Sequence, residues 1–82
     1  MTTLSLAGRT WTVGALPARL RGQIDRLAAT VAPDTIPDDG ALWKIADCVF
    51  RAVRTVETIR WDEFSELPFS NAELLDAWGT LT

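Results

Sequence analysis

The chain has 82 residues, 48% of them hydrophobic and 23% charged, a globular composition that excludes a disordered chain. Its formal net charge of -3 gives no general attraction for nucleic acid or for an anionic membrane. Cys48 is the single cysteine, so no intrachain disulfide forms, and a domain this small depends on its apolar core.

Residues 3–13 alternate Leu4 and Leu6 before Ala7-Gly8 and Trp11 and Val13 after it, which reads as a β-hairpin with Gly8 in the left-handed turn position. The competing reading is a frayed tail. Pro17 suits a helix start, and Leu20, Ile24, Leu27, Ala28 and Val31 form an apolar stripe, so a helix is expected over 16–31. Residues 32–39, with two prolines and several aspartates, read as the linker.

The longest helical pattern covers 40–58. Leu42, Ile45, Ala46, Val49, Phe50, Val53 and Val56 recur at spacings of three and four on one face, with Lys44, Asp47, Arg51 and Arg54 on the other. Asp38 or Asp39 is placed to cap its start. Two short helices follow. The first, over 62–67, is capped by Asp62 and stopped by Pro68; the second, over 70–78, starts at a Ser70/Glu73 capping box and ends at Gly79. Phe69 is placed to staple against Leu74. The expected fold is α+β and mainly helical: one domain over 1–82, its N-terminal hairpin packed on two main helices and one or two short C-terminal ones.

The reactive residue types are sparse. There is no histidine or tyrosine, no cysteine–histidine set for zinc, no calcium loop and no glycine-rich phosphate loop. Cys48 reads as a structural thiol, and Asp62, Glu63 and Glu66 as a solvated helix-start cluster. A helix-turn-helix reader needs a tight turn and a polar recognition helix, whereas the linker here is acidic and the following helix apolar. These features point away from an enzyme, a cofactor or a metal and leave a DNA-binding regulator as the weakest alternative.

Four tryptophans are the unusual feature. Trp11 and Trp78 read as core. Trp43 lies one position off the apolar stripe and Trp61 stands between Arg60 and Asp62, so both are open to a core or a partner-binding role. Arg51 and Arg54, three apart on the long helix, are expected at the border of any such surface. The partner-binding candidates are therefore Trp43, Arg51, Arg54 and Trp61. Charge is also uneven: Arg9, Arg19, Arg21 and Arg26 crowd the first part, and six acids fall after residue 56. That asymmetry is either internal, with the first helix against the last, or offered to partners.

The start LSLAGRTW, the helix LPARLRGQIDRL, an acidic linker, a long helix and a WDEF segment follow one another in an order that resembles the small tail assembly chaperones of long-tailed bacteriophages and prophages. The resemblance implies a non-enzymatic protein that binds the tape measure protein and recruits tail tube subunits, without being part of the finished virion. It implies a bacterial cytoplasmic location, and no catalytic or ligand motif comes with it. Exposed apolar side chains of such a protein are expected to give a weak homo-oligomer. The alternative is a structural tail subunit, for completion or connection, which would assemble into rings or stacks.

Overall fold

A computed structural model describes residues 2–31 and 37–82. Ala7 and Gly8 carry positive φ values of 56° and 71° and make a two-residue turn between β1 (Thr2–Leu6) and β2 (Arg9–Val13). Such a turn matches the twist of the antiparallel strands it joins, and the register Leu6↔Arg9, Leu4↔Trp11, Thr2↔Val13 follows from it. Leu4, Leu6, Trp11 and Val13 all fall on the buried face, and the Trp11 indole N–H donates to the Leu6 carbonyl at 3.0 Å. The N-terminal residues from Thr2 onward are thus strand and not tail.

Among the described residues four helices follow, α1 (Ala18–Thr30), α2 (Asp39–Val53), α3 (Trp61–Ser65) and α4 (Asn71–Leu81), giving a small α+β domain. The core is α2. Its Ile45, Val49, Ala52 and Val53 are fully covered, by α1 on one flank, α4 on another and β2 at the end, while α4 also packs under β1. Asp38 caps α2 as expected, accepting from Ala41 N at 2.8 Å, and half of the expected capping box forms at α4, where Ser70 Oγ accepts from Glu73 N at 3.2 Å.

Several boundaries differ from the sequence reading, each for a physical reason. Pro17 precedes α1 as its N-cap. Residues 32–36 of the linker, Ile36 among them, lie outside the described residues. The long helix ends at Val53, short of residue 58. There the chain tightens through bonds from Thr55 N to Ala52 O and Val56 N to Val53 O, while the Thr55 hydroxyl donates to the Ala52 carbonyl at 2.7 Å. The same hydroxyl accepts Gly14 N–H at 2.7 Å, so the end of β2 rests on the end of α2. A Cβ at Gly14 would meet Thr55 Oγ1 and Val56 Cγ2 at 3.2 Å, so a larger residue there would have to push these side chains aside. Val56, assigned to the apolar stripe by spacing, is left 45% exposed.

Asp62 does not cap the helix before Pro68. Arg60 holds the N-cap position without a side-chain bond, and Asp62 lies inside the first turn. Gly79 does not end the last helix either. The stripe Leu74, Ala77, Trp78, Leu81 continues past it, and burying Leu81 outweighs the roughly 1 kcal/mol that glycine costs in a helix. The Arg21 guanidinium then donates to the Leu81 carbonyl at 2.7 Å. That bond, with the Arg9–Glu57 pair at 3.5 Å, ties the basic first part to the acidic last part.

Candidate functional site

Trp43, Phe50 and Arg54 are seven and four positions apart along α2 and its C-cap, which sets them within about 20° of one line on a helix. Only Phe50 of the three is buried. Trp43 is 58% exposed, so the packing of α2 leaves it outside the core.

The chain from Arg54 to Arg60 brings Trp61, the first residue of α3, back over this line. Its ring lies 5.2 Å from Phe50, edge-on at 75°, and 5.9 Å from Trp43, tilted at 58°. Below them Phe50 meets Phe64 at 5.4 Å and Phe64 meets Phe69 at 5.6 Å. Each spacing falls within the range in which tilted and edge-to-face aromatic pairs attract. The result is an aromatic ridge with a buried base, Phe64, and two exposed tryptophans on top, Trp61 being 38% exposed. The Arg54 guanidinium lies over the Phe50 ring at 5.6 Å and places a fixed positive charge at one end.

Three of the four residues singled out from the sequence are therefore brought together: Trp43, Trp61 and Arg54. Arg51 is not in the line. It lies about 80° round the helix from Trp43 and is paired with Asp47 at 3.2 Å. Phe50 was counted only as core by its spacing. The signal that it also carries the ridge was its place seven residues after Trp43.

A groove opens on either side of Trp43. One, of about 210 Å³, has Leu42, Ala46, Phe69 and Leu74 in its wall and Asp39 at its lip. The other, of about 350 Å³, runs between α1 and α2 past Leu27, Lys44 and Cys48. A ridge between two grooves of mixed polar and apolar lining is the complement of a helix surface, whose own side chains form ridges and grooves of the same scale. Cys48 is a poor nucleophile there: burial pushes its thiol up, the Asp47 carboxylate adds to the rise, and the Arg51 guanidinium offsets part of it.

Among the described residues no group of three metal-ligating side chains comes together, and no helix is long and apolar enough to cross a membrane. Comparison with protein-family models, with characterised proteins and with solved structures gave no match.

Proposed function

We propose that this chain is a non-enzymatic, cytoplasmic assembly chaperone that holds a helix-rich client protein on the Trp43–Trp61 ridge. The observation that carries the reading is two tryptophans tilted against each other at 5.9 Å and left exposed over a buried aromatic base. Exposed tryptophan on a preorganised support loses little conformational freedom on binding, and it is the residue type that most often dominates a binding interface. The flanking grooves suit side chains of an incoming helix at positions three or four apart. Arg54, and Arg51 from the adjoining face, would set its orientation.

The order of elements and the LSLAGRTW start favour a phage or prophage tail chaperone within this class, with the tape measure protein as client and the tail tube protein as second partner. A long helical tape measure exposes apolar stripes until the tube closes around it, and a small body with a helix-sized aromatic ridge would cover them. With no client, the ridge would associate weakly with itself. Co-expression with the products of the flanking genes, followed by pull-down, tests the reading. Retention of a long helical neighbour is the expected result. Retention of none, together with assembly of the chain alone into rings or stacks, would replace it with a structural tail subunit.

A further inference from the structure

Leu6 and Arg9 close the two-residue turn, so Leu6, Leu4 and Thr2 exchange the ladder bonds with β2, and the residues between them turn their backbone groups away from it. Two contacts fix that phase. The next outward N–H after Ser5 is that of Ala7, which donates to Glu73 Oε2 at 2.8 Å. On the opposite edge the outward N–H of Gly14 goes to Thr55. Each edge is thus closed at one end by a side chain. Thr3 and Ser5 remain: among the described residues no side chain and no backbone group outside the ladder reaches their N–H or C=O.

An open groove of about 420 Å³ runs along this edge, between β1 and one stripe of α4. The α4 wall presents Glu73, Asp76, Ala77 and Thr80, at spacings of three and four. Two carboxylates line the groove and no cation does.

We propose that this groove takes an extended, lysine- or arginine-bearing segment of a partner protein, which adds a third strand to the sheet on the outer edge of β1. The incoming backbone pairs with Thr3 and Ser5, and its inward side chains lie along α4 with their cations at Glu73 and Asp76. Charge selects this occupant over a second copy of the chain. Two β1 edges joined about a two-fold axis would bring two acidic α4 stripes together, and β1 itself, TTLSL, carries no charge to offset them. The surface is separate from the tryptophan ridge, so the two can be occupied at once.

The test uses an acetylated, amidated seven-residue peptide alternating threonine and lysine, titrated into the full chain and followed by amide NMR and hydrogen exchange. Exchange at Thr3 and Ser5 should slow at least tenfold at saturation. Asp76→Lys, at an exposed position whose carboxylate makes no hydrogen bond or ion pair among the described residues, should weaken binding at least fivefold. The same peptide N-methylated at its three central amides, or carrying glutamate for lysine, should not bind. Unchanged Thr3 and Ser5 amides at millimolar peptide, equal binding of the methylated peptide, or equal binding of the glutamate peptide would each overturn the proposal. So would protection of Thr3 and Ser5 that grows with protein concentration alone, which would assign the edge to self-pairing.

Discussion

Glu73 Oε2 accepts the Ala7 N–H at 2.8 Å and ties the tip of the hairpin to the first turn of α4, across a separation of 66 residues. In a capping box the Glu73 carboxylate would turn back to Ser70, and here it serves the hairpin instead. Glu73→Ala should lose about 1–3 kcal/mol, the range for a charge-assisted bond that leaves a part-buried donor unmet. Ser70→Ala should lose about 0.5–2 kcal/mol for the cap. Because the two side chains serve different partners, the double variant should be additive to within about 0.5 kcal/mol in chemical denaturation. A larger coupling would restore the capping box.

Ala7 holds φ 56°, in the left-handed region that costs a residue with a Cβ about 1 kcal/mol. Asparagine tolerates that conformation, and Asn-Gly is the preferred pair for this turn. Ala7→Asn should therefore raise stability by about 0.5–1 kcal/mol while keeping the N–H to Glu73. A loss on substitution would mean that the methyl group of Ala7 packs to more effect than the turn strains.

Phe50 joins the core to the ridge: its ring meets Trp61 at 5.2 Å and Phe64 at 5.4 Å and is only 8% exposed. Phe50→Ala should cost about 3–5 kcal/mol, a large share of what a domain of this size has. A melting temperature within a degree or two of the parent would show that α2 is not the organising element.

Much of this architecture was legible because its signals are local. The two-residue turn, the caps at Asp38 and Ser70 and the stripes of both main helices are read within a few residues of where they act. The misreadings are non-local. Val56 has the spacing of a core residue, yet Thr55 bonds to Gly14 of the hairpin and the helix has already ended. Gly79 has the look of a stop, yet Leu81 beyond it is buried. The pairing of Trp43 with Trp61 depends on the turn at 54–60, which no periodicity describes, whereas the departure of Arg51 from the ridge follows from its place about 80° round the helix from Trp43, a local signal.

The raised thiol of Cys48 gives a pH signature. An unfolded thiol ionises near its ordinary value of 9.0, whereas the folded one stays protonated to higher pH because it is buried and next to Asp47. Above that value the unfolded state binds fewer protons than the folded one, so stability falls as pH rises. The contribution is flat below about pH 8, where both states keep the proton. Denaturation curves collected between pH 7 and 10 should show this fall in the parent and lose it in Cys48→Ala. Slow alkylation by iodoacetamide at neutral pH should accompany it, and rapid alkylation would contradict the burial.

The central proposal is that the exposed Trp43–Trp61 pair is a client surface, and the most direct measurement is quantitative capture of the client proposed above, the tape measure protein, by parent, Trp43→Ser and Arg51→Ser/Arg54→Ser chains in parallel. Both arginines project outside the core, so the double variant should keep its stability to within about 1 kcal/mol, while Trp43→Ser gives up the contact with Trp61 and should lose about 1–2 kcal/mol and stay folded. Trp43→Ser should weaken capture at least tenfold, the loss typical of an anchoring residue, and the double arginine variant should weaken it less. Undiminished capture by a folded Trp43→Ser chain would contradict the account.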